Sequence, residues 1–387
     1  MRQATARIRC DSLRDVEPSD HVLWQKVKIR EIGKVVTGMT PPTKHQAYYG
    51  DDYLFVTPSD LDFDSYIVSK TERCISKQGY EKYSNRFIPA MSTMYTCIGS
   101  TIGKIGLCRE TVLTNQQINS IIPNDVHDAK FVYYLMRSQT NEIRALNAGC
   151  AVPIINKGDF ENIDVHLPPL PVQRRIADIL SAYDDLIENN RRRIAILEET
   201  ARLTYRKWFG GEDRGNEWEV HKVSEVLESF PRPKRVPKES YVTDGAYPCI
   251  DQGKDFIGGY TNDEEAIVRR LPAIVFGDHT RVLKYVSEPF ACGADGTQLL
   301  YAKDGVLTQS YLYCALKEID LTNYFYARHF KILKSKEVFV PPYSMVKQFT
   351  DEVSCNLELI SVLRKHGVKL AAARDMLLPR LMKGEMV

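Results

Sequence analysis

The segment GSTIGKIG (Gly99–Gly106) carries the glycines, hydroxyls and lysine of a phosphate-binding loop. The nucleotide-binding form needs four residues between its glycines and a Ser or Thr after the lysine. Here three residues separate Gly99 from Gly103, and Ile105 follows Lys104. The segment therefore reads as a tight turn between strands. Ser100, Thr101 and Lys104 remain candidates for contact with a DNA phosphate. VPPY (Val340–Tyr343) has the prolines and aromatic ring of an amino-methyltransferase motif, but Val340 cannot accept a hydrogen bond from a target amine. No GxGxxG is present for a nucleotide cofactor, and the histidines form no HxxxH or HExxH pair for a metal. The acidic run PSDLDFDS (Pro58–Ser65) lacks the lysine arrangement of a nuclease and reads as a polar loop. Nine cysteines are scattered without a CxxC pair, which argues against structural zinc and a disulfide framework and for reduced thiols. No catalytic or metal site is legible.

Three loops offer DNA-contacting chemistry instead. FPRPKRVPKES (Phe230–Ser240) sets Arg232, Lys234, Arg235 and Lys238 among prolines, which stiffen the loop and lower the entropy lost on contacting phosphates. GMTPPTKHQAYY, at the corresponding earlier place, offers Lys44 and His45 beside paired tyrosines. GDHTRVLKY (Gly277–Tyr285) follows a probable strand and carries His279, Thr280 and Arg281, side chains suited to base edges. Arg191–Arg193 read as a solvated helix face.

The elements that position these loops are set by a long segment without proline or glycine after Pro171, ending at Phe209. Stepping by four and three from Ile176 gives Leu180, Tyr183, Ile187, Asn190, Ile194, Leu197, Ala201, Thr204 and Trp208. That 3.5-residue period predicts a coiled-coil seam, with Asn190 as a polar residue able to fix register. Such a helix needs a partner to cover its stripe. Shifting by 173 residues lays Pro341-Pro342 on Pro168-Pro169 and puts Phe349, Val353, Ile360, Leu363, Leu370 and Leu377 on seam positions. Asn356, Gly367 and Arg374 weaken this second seam. Upstream of each helix a second repeat is visible, WQKVKIREI from Trp24 and WEVHKVSEV from Trp218.

The chain thus reads as unit, helix, unit, helix. The predicted parts are a polar leader at 1–20, a globular unit at 21–166, a central helix at 167–210, a second globular unit at 211–338 and a C-terminal helix at 339–387. The fold class is α+β, with the two long helices pairing antiparallel as a coiled coil under a pseudo-two-fold internal repeat. Strands are expected at YLFVTP, MYTCIG, KIGLC, NSIIP, AIVFG and TQLLYA. Helices are expected at Asp128–Leu146, with Phe131, Tyr134, Leu135 and Ile143 on one face, and at TQSYLYCALKEI.

A formal net charge of +2 neither shows nor excludes a nucleic-acid partner and suits a grip on DNA shared with another subunit. No apolar secretory segment and no membrane-length apolar run is present, so a cytoplasmic protein without a membrane is expected.

The proline stop, PVQRRIADILSAYDDLIENNRRRIAILEETARLTYRKWF and the degenerate second copy ending MLLPRLMKGEM resemble the conserved regions of the specificity subunit of type I restriction–modification enzymes. The resemblance implies a non-catalytic subunit with two target-recognition domains, each reading one half of a bipartite target in double-stranded DNA. It implies helices that set the spacer and dock two methyltransferase subunits, with motor-nuclease subunits joining them. S-adenosylmethionine, ATP and Mg would belong to those partners and no cofactor to this chain. The base-contacting residues are not part of the resemblance. The alternatives are a subunit of a related methylation-only or two-subunit system, and a coiled-coil protein-binding adaptor.

Overall fold

The computed structural model describes residues 24–145, 153–211, 218–294, 296–323 and 328–385. The expected polar leader lies outside them. Contacts divide the chain into a first unit, Met1–Asp185 with Ala371–Val387, and a second, Leu186–Leu370. Two helices of 40 residues, Leu170–Phe209 and Tyr343–Met382, contribute to both units. Each starts just after a Pro-Pro pair, which favours extended backbone up to the first turn. The central helix stops at Gly210, whose N–H donates to Arg206 O at 2.7 Å. The C-terminal helix carries Pro379 internally.

In the first unit a five-stranded sheet runs in the order Gly33–Thr37, Ile118–Pro123, Thr93–Thr96, Ile105–Cys108, Ile67–Val68. A four-stranded sheet holds Tyr49–Gly50, Arg73–Ile75, Tyr53–Val56 and Leu113–Thr114. The expected helix Asp128–Leu146 forms as two pieces, Ala129–Ser138 and Thr140–Ala145. Phe131 through Met136 are all buried, so the first piece is covered all round rather than on one face. Sequence periodicity missed this because Tyr133 spends its hydroxyl on Ser65 O at 2.8 Å and Tyr134 on Asp184 at 2.5 Å. Asp128 caps the helix by accepting from Phe131 N–H at 2.9 Å. Asp128→Ala should cost about 1 kcal/mol, the ordinary worth of such a cap, read as a shift in the denaturation midpoint.

The second unit repeats the mixture. Ala273–Gly277 lies between Leu283–Val286 and Thr297–Leu300 in a three-stranded sheet. A second sheet is ordered Arg235–Val236, Phe290–Gly293, Tyr247–Ile250, Gly259–Thr261, with Ile267–Val268 also on Phe290–Gly293. The helix Gln309–Lys317 is capped by Thr308.

The duplication is preserved to the residue. Gln25 pairs with Leu167 and Lys28 with Asp164; Glu219 pairs with Val340 and Lys222 with Glu337. The offsets are 219 − 25 = 194 and 340 − 167 = 173. A short helix follows each first strand, opened by Lys28 N–H on Glu31 Oε1 at 2.8 Å and by Lys222 N–H on Glu225 Oε2 at 2.9 Å.

The long helices pair antiparallel within each unit. In the first, Ile176, Ala177 and Leu180 near the start of one share a core with Leu378 and Leu381 near the end of the other. In the second, Ala201, Tyr205 and Phe209 share a core with Val346, Phe349, Val353, Leu357 and Ile360. Ile187 and Leu363 are also buried, while Ile194, Leu197 and Leu370 are half-buried. At several places along both helices the seam departs from the expected positions by one residue. Tyr183 is half-buried and Asp184 faces inward, Tyr205 and Phe209 replace Thr204 and Trp208, Leu357 replaces Asn356, and Leu378 is more buried than Leu377. A strict 3.5-residue pattern drifts ~20° per heptad from a 3.6-residue helix, so a straight helix packed on a globular unit turns neighbouring positions inward. Asn190 is buried, and its Nδ2 has no hydrogen-bond partner among the described residues.

The first unit buries an ionic network where the second has an apolar core. Asp184 and Arg374 form an ion pair, each 2% exposed. The Tyr134 hydroxyl donates to Asp184 at 2.5 Å, and Asp375 accepts from Arg374 at 2.9 Å and from Arg137 at 3.0 Å. In the second unit the corresponding residues are Leu357 (184 + 173), Ala201 (374 − 173) and Cys314, all buried. Cys314 follows from laying the Thr308 cap on Asp128, since 314 − 308 equals 134 − 128.

Candidate nucleic-acid interface

In the second unit the strand Ala273–Gly277 delivers the loop that carries His279, Thr280 and Arg281. The loop turns through Arg281 at φ 63°. The Arg281 guanidinium donates to Leu321 O at 2.9 Å and to Thr322 O at 3.3 Å. Such donors stabilise the turn that sends the chain back into Leu283–Val286, so Arg281 supports the loop through Nη1 while remaining exposed. The Thr280 hydroxyl is likewise engaged, donating to Gln252 O at 2.5 Å. His279 is exposed, and its backbone N–H donates to Gln252 Oε1 at 3.2 Å. Glycine is needed at 277 because a Cβ there would meet Thr280 Oγ1 at 2.2 Å and Gln252 Cβ at 2.9 Å.

Gln252 brings in a loop that sequence reasoning did not single out. It follows the strand Tyr247–Ile250 and exposes Lys254 and Asp255, while Gln252 itself meets His279 and Thr280. Behind it, Lys284 is 4% exposed and donates to Asp251 O at 2.8 Å, Asp255 O at 2.5 Å and Phe256 O at 3.3 Å. Burial holds its ammonium below the usual lysine range, against the pull of Asp251. Nothing in the alternating LKYV pattern marks this lysine as inward-facing; only the fold does.

The proline-stiffened loop is partly consumed by its own unit. Lys234 bridges Asp263 at 2.9 Å and Glu265 at 3.0 Å, and Arg235 donates to Thr297 O at 2.7 Å. Arg232 and Lys238 are exposed. Arg232, Arg235 and Lys334 line a 320 Å³ cleft whose Glu228 is already bound to Arg270 at 2.5 Å. That leaves a cationic cleft suited to a phosphate.

In the first unit Lys44, His45 and Ser100 are exposed, and the His45 ring lies 5.4 Å from Tyr48. The glycine segment forms a short turn at Gly99–Thr101, with Gly103 at φ 90° against Thr140. The Thr101 hydroxyl donates to Ile98 O at 2.7 Å. Lys104 donates to Pro58 O at 3.0 Å, with Asp62 at 3.8 Å. Thr101 and Lys104 therefore support the turn and the loop Pro58 belongs to. The first unit keeps Lys44 and His45 together but does not bring Lys104 to an exposed edge.

Burial pushes the Cys97 and Cys314 thiols up to about 12 and the Cys108 thiol to about 11, so none is a ready thiolate. Among the described residues no cluster of three or more His, Cys, Asp or Glu could hold a metal ion. No helix among them is long and apolar enough to cross a membrane.

Each of the two duplicated α+β units presents supported polar loops, and residues 21–199 match the type I restriction modification DNA specificity domain. The chain is 27% identical to the MjaIX type I specificity subunit of Methanocaldococcus jannaschii, over 94% of this chain and 93% of that one. It is 30% identical to the HindI type I specificity subunit of Haemophilus influenzae over 43% of this chain and 38% of that protein. The solved type I S subunit of M. genitalium shares the fold, with a TM-score of 0.57 at 18% identity, covering 95% of this chain and 98% of that one. Over nearly its whole length the chain is thus similar to a type I restriction–modification specificity subunit.

Proposed function

We propose that each globular unit reads one half of a bipartite double-stranded DNA target. The long helices set the unspecified spacer and dock two methyltransferase subunits, and motor-nuclease subunits join that assembly. The chain itself is non-catalytic. S-adenosylmethionine, ATP and Mg are held by the partners, and the complex works in the cytoplasm. The observation that carries this reading is the duplication: a strand-and-helix frame repeated in register surrounds loops of different sequence, GMTPPTKHQAYY in one copy and FPRPKRVPKES in the other. A frame kept while its loops diverge is what two independent readers with different targets require.

Exchanging residues 21–166 for the same domain of another family member should change one half of the methylated motif and leave the other half and the spacer unaltered. Sequencing of methylated sites in the host genome reads the outcome. A change in both halves would mean that the domains read DNA jointly, and turnover of S-adenosylmethionine by the isolated chain would overturn the non-catalytic assignment.

A further inference from the structure

The buried Lys284 has no donor left for DNA. An ammonium has three N–H groups, and the three carbonyls of Asp251, Asp255 and Phe256 take them. Laying the two hairpins on each other with their helix-packed faces together, Tyr95 and Ile105 on Phe276 and Leu283, puts Gly106 of the first unit at the place of Lys284. The frame therefore does not need a cation there. Burying a cation is costly and is weak evidence for a gain in stability over an apolar residue. What Lys284 adds is control of one stretch of backbone.

That stretch is held from several sides. The Asp251 carboxylate accepts from Gly253 N–H at 2.8 Å, and Thr280 donates to Gln252 O at 2.5 Å. At the far end the Arg364 guanidinium lies 4.1 Å from the Phe256 ring centroid and is paired with Glu198 at 2.5 Å, which clips the loop to both long helices inside the second unit. The first unit treats its equivalent loop in the same way, with Lys104 on Pro58 O at 3.0 Å.

We propose that Lys284 is a positioning residue for base reading. It fixes the backbone of the loop Asp251–Ile257, which Gln252 joins to His279 and Thr280, so that exposed Lys254 and Asp255 meet base edges in one geometry. Discrimination between bases depends on hydrogen-bond directions, and a reading group is selective only when the residues behind it hold it still. The inference rests on the reading of the second unit as one half-site reader.

The test uses the complex with its methyltransferase subunits and compares the methylated motif of the parent with that of Lys284→Met and Lys284→Arg. Lys284→Met should relax base preference about tenfold, the scale of one bidentate base contact, only in the half-site read by the second unit. The other half-site, the spacer and complex assembly should be unchanged, and Lys284→Arg, which keeps a cation in reach of the carbonyls, should recover part of the preference. Simple destabilisation would lower methylation of all sites together and would not relax one half. Unchanged preference in both halves, or equal relaxation of both, overturns the proposal. If Lys284→Met fails to fold, Arg364→Met carries the test, because it frees the Phe256 end while leaving the Lys284 bonds in place. It is expected to relax the same half-site, and an unaltered motif would count against the proposal. A parent complex that shows no bipartite motif would instead overturn the underlying reading of two half-site readers.

Discussion

Arg374→Ala is expected to destabilise the first unit by about 3–5 kcal/mol. Its removal leaves the Asp184 carboxylate 2% exposed with the Tyr134 hydroxyl still donating to it at 2.5 Å, and it strips Asp375 of one of its two cationic partners. A lone charge in that position either costs its desolvation or takes up a proton, and both routes weaken the folded state. The second unit supplies the control. There the corresponding buried positions are Leu357, Ala201 and Cys314, so an apolar set is compatible with the same frame. The triple change Tyr134→Phe, Asp184→Leu, Arg374→Ala should therefore recover most of the loss, because no buried charge or hydroxyl is then left without a partner. Urea denaturation of the three proteins reads both effects. A single variant as stable as the parent, or a triple variant no better than the single, would show that the network does not behave as a coupled buried pair.

Phe349→Ala should cost the second unit about 3–5 kcal/mol, the range for deleting a fully buried aromatic ring. Phe349 is 0% exposed and sits at the centre of a ring cluster, its centroid 5.2 Å from Phe209, 5.9 Å from Tyr205 and 6.0 Å from Tyr311. These near-perpendicular contacts join the end of the central helix, the start of the C-terminal helix and the helix Gln309–Lys317. Losing the ring opens a cavity that stiff aromatic neighbours cannot collapse into, and it removes edge-to-face attraction as well. Phe349→Leu keeps much of the volume and should cost clearly less. The check is the denaturation midpoint of each variant. Equal stability of Phe349→Ala and the parent would mean that this cluster does not hold the helix pair.

The repeated order of units and helices, the antiparallel partner for the central helix and the family resemblance were legible in the chain's own residues. Each of these rests on signals local to the chain: Pro-Pro stops, a sustained apolar period, and two copies of a tryptophan-led strand at a constant offset. The sequence also placed the strand Ala273–Gly277 and the loops that follow it. Only the tertiary structure decided which side chains those loops could spare. Arg281, Lys104 and Lys234 read as free cations in the sequence, but each meets a carbonyl or carboxylate from a segment tens of residues away. Composition cannot show such an acceptor. The same holds for Lys284, which occupies a strand position where alternation suggests solvent and instead fills a cradle of three carbonyls. Asp184 and Arg374 make the point for the helices. A heptad pattern places apolar residues on a seam, yet whether a charged residue beside it turns inward depends on the opposite charge across the interface, and that pairing joins positions 190 residues apart. Periodicity is a property of neighbouring residues, whereas burial of a polar group depends on a partner that the fold alone brings near.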